Sequence, residues 1–234
     1  MKKLFILLPA ILFATVCSAQ TLDEVVNKYY AANGTEQLEK ASTIYLEGRV
    51  NQMGTEMPMI INNKKPDKVK VVITYNGMEI ITLFDGVKGY MMNPLMGLTE
   101  PMELTAEQLP SVQEYNLFRN DIMDAFRAGK LKLEGEESVN GKPAYKLTLT
   151  DESGSVRTVF IDKESFLTVK TAQKVSQMGQ EMEVESYIKE VQDINGVKFP
   201  KVITQMVNGA EMGALMFDKI EIDKEIPDSL FTMK

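Results

Sequence analysis

The sequence predicts an α+β protein organised around one strongly curved antiparallel β-sheet with helices on its concave face. Three observations carry this. Lys64 to Pro94 reads as a three-strand meander, two-residue Asn-Gly turns recur along the chain, and two amphipathic segments carry helix-start signals. Turns this tight leave no room for the crossovers that parallel strands need. A long antiparallel sheet curls, and a helix laid into its concave side buries both apolar surfaces.

The chain opens with Lys2 and Lys3, an apolar run from Leu4 to Val16, and the small residues Ser18 and Ala19. This is the pattern of a secretory leader, residues 1–19, with cleavage expected after Ala19 and one domain expected over residues 20–234. Cys17 raises a second outcome, an outer-membrane lipoprotein. Val16 and Ala14 stand where lipoprotein signals carry a small residue and leucine, so lipidation is the lesser expectation.

Thr21 and Glu24 form a capping box that starts a helix. Val25, Val26, Tyr29 and Tyr30 give it an apolar stripe, Asn33-Gly34 ends it, and Glu36–Lys40 adds a further turn. From Thr43 the period changes to two: Ile44, Leu46, Gly48 and Val50 on one side, then Met57, Met59 and Ile61 after a turn at Gly54. Pro58 cannot donate to a ladder, which predicts an edge or a bulge there. In the meander, Val69, Val71, Ile73 and Tyr75 lead to the Asn76-Gly77 turn and back through Met78, Ile80, Thr82 and Phe84. Asp85-Gly86 then turns into a strand over Val87–Met92.

Leu95–Leu104 reads as a loop. Thr105 and Gln108 make a second capping box, and Leu109, Val112, Tyr115, Phe118, Ile122 and Phe126 predict one amphipathic helix ending at Gly129, with a break or offset allowed at Pro110. The remainder is β, punctuated at Asn140-Gly141, Ser153-Gly154, Asn195-Gly196 and Asn208-Gly209, for about ten strands in all.

Composition excludes several functions. Histidine is absent and Cys17, in the leader, is the sole cysteine, so residues 20–234 can form neither disulfides nor thiol sites. The net charge of −7 disfavours nucleic acid as a partner. Beyond the leader no apolar run approaches the roughly 20 residues of a membrane helix. Catalysis would need Ser or Thr with a Lys base, or a carboxylate pair. Asp121 with Asp124 and Glu183 with Glu185 read as solvated faces, so neither an enzyme nor a cofactor is expected.

The meander also resembles the periplasmic lipoprotein carriers and receptors of the LolA/LolB superfamily, among them outer-membrane lipoprotein-sorting-like proteins. The resemblance rests on a basic residue before proline (Lys65-Pro66), the Asp85-Gly86 turn, and an aromatic-containing strand ending Asn93-Pro94. Phe160-Ile161-Asp162 through Leu167-Thr168-Val169 and Asp228-Ser229-Leu230-Phe231-Thr232 are similar to the later hairpin and closing segment. The resemblance implies an unclosed antiparallel half-barrel with lid helices over an apolar cavity. It departs in having Lys65 for the carriers' arginine, without the bidentate fork, and Val69, Val71 and Val72 for their aromatics.

Sixteen methionines are the anomaly of composition. Their adaptability suits core filling, and equally a cavity that reshapes around acyl chains. The expected ligand site is an apolar cavity of Met57, Met59, Ile73, Met78, Ile80, Phe84 and Met91, with Lys65 as a headgroup or partner contact. Lys64, Lys65, Lys68 and Lys70 equally suit an ordinary protected strand edge. The expected function is a periplasmic carrier of a lipid or the acyl part of a lipoprotein, with an envelope membrane protein as a further candidate partner. The alternatives are a ligand-free interaction module of the envelope and a Cu(I) carrier using the thioethers of Met57, Met59, Met91 and Met92.

Overall fold

The computed structural model describes residues 20–151, 154–177 and 180–233. The leader with Cys17, Ser153 of one expected turn, and Met178 lie outside the described residues. Helix α1 (Leu22–Ala32) starts at the expected box: the Thr21 N–H donates to Glu24 Oε2 at 3.0 Å and the Glu24 N–H to Thr21 Oγ1 at 3.3 Å. Gly34, at φ +66°, turns the chain into α2 (Thr35–Lys40). It sits so close to the sheet that a Cβ there would lie 2.0 Å from the Gly196 carbonyl oxygen.

Six strands follow as a meander: β1 (Thr43–Gln52), β2 (Thr55–Lys64), β3 (Lys68–Tyr75), β4 (Met78–Phe84), β5 (Gly89–Asn93) and β6 (Leu98–Glu103). Short helices α3 (Leu109–Gln113) and α4 (Asp121–Arg127) come next. A second meander comprises β7 (Leu131–Val139), β8 (Lys142–Thr150), β9 (Val156–Asp162), β10 (Thr168–Gln177), β11 (Gln180–Ile194), β12 (Val197–Val207) and β13 (Ala210–Ile222). Pairing of β1 with β13 joins the two meanders into one open antiparallel sheet of thirteen strands, ordered β6-β5-β4-β3-β2-β1-β13-β12-β11-β10-β9-β8-β7. This is the α+β half-barrel.

The turns follow the residues. Asn76-Gly77, Asn140-Gly141, Asn195-Gly196 and Asn208-Gly209 all place both central residues at positive φ, as type I′ hairpins require. Asp85 Oδ1 accepts from the Val87 and Lys88 N–H groups, both at 2.7 Å, which delays β5 to Gly89 rather than the expected Val87. Bulges at Glu47/Gly48, Leu133/Gly135 and Gln205/Met206 interrupt the ladders. Bulges bend and twist the strand that carries them, and so help this sheet to curve.

Three expectations are corrected. Leu95–Leu104 is not a loop: Pro94–Met96 forms a 3₁₀ turn and Leu98–Glu103 pairs as β6. Pro58 does not put its strand at an edge, since β2 is internal. The β2–β3 ladder simply ends at Met59, one residue before the missing N–H. The single helix of residues 109–126 is two, because Asn116 and Asn120 divert the backbone: the Asn116 carboxamide accepts from the Phe118 N–H and that of Asn120 caps α4 through the Met123 N–H.

Its apolar stripe is divided accordingly. Leu109, Val112, Tyr115 and Phe118 pack with Ile44, Leu46, Ile61, Val69 and Val71 over the first meander. Ile122 and Phe126 join Val25, Val26 and Tyr29 over Leu131, Leu147, Leu149 and Val159 of the second. On the outer face, the C-terminal segment lays Ile226, Leu230 and Phe231 against Leu83, Tyr45 and Tyr90.

Candidate functional site: an apolar trough on the helix face

Register places the expected ligand residues on one face of the sheet. Gly48, Met59, Ile73 and Ile80 lie in one cross-strand row, and Leu46, Ile61, Val71, Thr82 and Met91 in the next. Ile44, Asn63, Val69 and Phe84 form a third. Met57 pairs with Val50 beyond the first row, and Met78 precedes Ile80 with the same parity. All seven residues therefore face the helices.

Burial then divides them. Met59 and Phe84 are closed in beneath the helices, with Ile44, Leu46 and Val69. Met91 floors a cleft of about 310 Å³ whose other walls are Thr82, Leu104, Gln108, Ser111, Glu114 and Tyr115. Met57, Ile73 and Ile80 are half-buried, and Met78 is 39% exposed. Among the described residues these four form the more open part of the face. Val50, Leu215 and Ile203, paired in register across β1, β13 and β12, continue the same half-buried row.

The half-buried part of this face is a shallow apolar trough. Val50 was legible as facing the same side as Leu46. Ile203 and Leu215 were not, because only the β1–β13 pairing sets them beside the meander.

The cover over the closed part is held by two polar anchors. Asn63 is fully buried; its Oδ1 accepts from the Leu117 N–H at 2.7 Å and its Nδ2 donates to the Tyr115 carbonyl at 3.1 Å. Burial raises the Tyr115 phenol above its ordinary pKa, keeping it neutral at the cleft wall. Lys65 donates to the carbonyls of Leu38 and Glu39 at the end of α2 and lies 4.8 Å from the centre of the Phe118 ring. Its ammonium ties α2 to the cover. Lys64 and Lys68 share Asp228, at 3.2 and 2.8 Å, so the basic cluster holds the C-terminal segment instead of guarding an edge.

The carboxylate pairs are not simply solvated faces. Asp121 accepts from Arg157 at 2.7 Å, joining α4 to β9, and Glu185 pairs with Lys170, both being largely shielded. The four thioethers of the Cu(I) alternative do not converge. Met92 points to the opposite face from Met91, and β2 and β5 stand three strand spacings apart, roughly 14 Å. Among the described residues no group of Asp and Glu is placed to hold a metal ion, and no helix is long and apolar enough to cross a membrane.

A family model described as "-like: Uncharacterized protein" matches residues 98–234, from β6 to the end of the chain. The chain belongs to that family. Its fold is that of the LolA superfamily. A LolA superfamily protein from Nitrosomonas europaea aligns with a TM-score of 0.60 at 17% identity, covering 92% of this chain and 98% of that one. A DUF1329 family protein from Desulfovibrio piger ATCC 29098 aligns at 0.59 and 14% identity, over 89% and 97%. A putative outer membrane lipoprotein-sorting protein domain from Vibrio parahaemolyticus aligns at 0.58 and 10%, over 88% and 97%. No curated protein matches the sequence. At these identities the likeness is one of architecture; of the trough strands, β1–β4 lie outside the family match and β12 and β13 within it.

Proposed function

We propose that this protein is exported to the periplasm and there binds and carries a lipid, or the acyl part of a lipoprotein, along the trough. The observation that carries the reading is the patch of Met57, Ile73, Met78, Ile80, Val50, Leu215 and Ile203, left partly exposed among the described residues on the face that elsewhere is buried beneath helices. A chain laid there gains about 0.8 kcal/mol for each CH₂ fully removed from water. Half-burial of a sixteen-carbon chain then supplies about 6 kcal/mol, before the cost of ordering it.

No polar contact is needed for that affinity, so the site tolerates varied headgroups, and methionine tolerates varied chains. The 104–118 cover borders the trough, and the Met91 cleft beneath it gives a chain room to extend inward. Release needs an acceptor with a better apolar site. The LolA-superfamily fold, shared with a putative lipoprotein-sorting domain, supports a binding role over catalysis.

The test is native mass spectrometry with lipid extraction, on protein purified from its own envelope without detergent. A bound acyl species, reduced at least tenfold in folded Met78→Asp and Ile80→Asp variants, supports the carrier. Ligand-free protein that also fails to bind a fluorescent fatty acid overturns it in favour of an envelope interaction module.

A further inference from the structure

The two ends of the half-barrel differ in chemistry. At the end where β1 finishes and β2 starts, the hairpin tips read Asn51–Thr55, Thr74–Met78, Asn93–Thr99 and Gln205–Ala210, with no charged residue in any of them. The 175–180 stretch joining β10 to β11 is also uncharged in sequence. At the opposite end every turn is charged: Lys64–Lys68, Asp85–Lys88, Asp162–Ser165, Asp193–Lys198 and Asp223–Glu225. Exposed apolar side chains follow the same division. Among the described residues, Met53 (83% exposed), Met96 (71%), Leu95, Met78, Met212 and Val156 all sit at the uncharged end, and of the large exposed ones only Ile60, Val87 and Val191 lie elsewhere. Behind the tips stand four exposed glutamates, Glu56, Glu79, Glu100 and Glu211, each one residue past its tip, and near β7–β9 Asp151 and Lys130 also reach this end.

We propose that this rim is a docking surface for the interfacial region of a lipid bilayer. Its apolar residues come from separate hairpins, from β6 round to β12, an arc of roughly 35 Å at about 4.8 Å per strand. Each presents one or two side chains at a tip, which suits shallow insertion into a continuous apolar layer that leaves the flanking glutamates outside it. Large exposed apolar surface marks an interaction site, and unbranched methionines adapt to a fluid one.

The trough opens at this same rim through Met78, Met57 and Val50, and an acyl chain entering along that face has Glu56 and Glu79 on the opposite side of the sheet. That point rests on the proposed carrier role; the docking itself does not. Because the rim lacks basic residues and the protein is acidic, docking is driven by apolar burial. It therefore needs no anionic lipid, and salt does not weaken it.

The experiment is flotation of the soluble exported protein, expressed with its own leader, on phosphatidylcholine vesicles with and without one-fifth phosphatidylglycerol. Expected is co-flotation with both, undiminished in 1 M salt, lost at least tenfold in the Met53→Asp/Met96→Asp double variant and retained in Val87→Asp at the opposite end. The double variant lies outside the trough and keeps its affinity for monomeric fluorescent fatty acid, which separates failure of docking from failure of the carrier reading. Circular dichroism and an unchanged melting temperature establish folding. Absence of flotation on both vesicles, flotation unaffected by the double variant, or a rim-dependent dimer in sedimentation that replaces vesicle binding would each overturn the proposal.

Discussion

Asn63 is the residue through which the sheet holds its cover. It sits in the fully buried row with Val69 and Phe84, yet its carboxamide serves two backbone groups of the 115–117 segment. Asn63→Ala leaves the Leu117 N–H and the Tyr115 carbonyl without their partner, a loss of about 3 kcal/mol measured by denaturant unfolding. A loss below about 1 kcal/mol would mean that water replaces the side chain. Tyr29 is the second telling residue. Burial pushes its phenol from 10 up to about 12. Below pH 10 the phenol is neutral in both folded and unfolded chains, and its burial stabilises in full. As pH rises from 10 through 12 the unfolded chain ionises first, and about 3 kcal/mol is lost. Urea titrations at pH 9 and pH 11.5 check this, with Tyr29→Phe expected to reduce the difference and the share owed to Tyr45, also raised to about 12, remaining.

Among the elements, the 104–118 cover and the C-terminal segment are held in different ways. The cover leans on β5 where Gly89 leaves space: a Cβ there would lie 2.5 Å from Leu109 Cδ2 and 3.1 Å from Leu104 Cδ1. Gly89→Ala should lift the cover, lowering stability by about 1–3 kcal/mol and speeding amide exchange over residues 104–118 while the sheet stays protected. Exchange rising equally throughout the sheet would refute that local effect. The C-terminal segment is a latch on the outer face, with Phe231 buried against the sheet and Asp228 between Lys64 and Lys68. Phe231→Ala should cost about 3–5 kcal/mol by thermal or urea unfolding.

For the whole molecule, α3 and the 115–118 segment cover the first meander over Ile44, Leu46, Ile61, Val69 and Val71, and α1 and α4 cover β7–β9 out to Leu131 and Leu149, while Met57, Ile73, Met78 and Ile80 are left more open. Any ligand that binds the folded state alone stabilises it by mass action. At a free concentration a hundredfold above Kd, a long-chain fatty acid should add about 2.7 kcal/mol, raising Tm by roughly 5–10 °C. No shift for any chain length between ten and eighteen carbons would count against the trough.

Period-two alternation, Asn-Gly turns and helix-capping pairs are local signals, and they determined by themselves the α+β class, the first helix, the meander and the face shared by Met57, Met59, Ile73, Met78, Ile80, Phe84 and Met91. In a strand, parity alone decides the face. Parity says nothing of what lies above that face. That Met59 and Phe84 are sealed while Ile73 and Met78 are open depends on where the 104–118 cover stops, and Asn63, fifty residues away in sequence, holds it there. Closing β13 onto β1 brings Leu215 and Ile203 beside Val50, and pairing β5 with β6 places Leu95 and Met96 on the same rim as Met53. These are contacts between residues distant in the chain. Only the tertiary structure decided them, because no local period records which strand becomes whose neighbour.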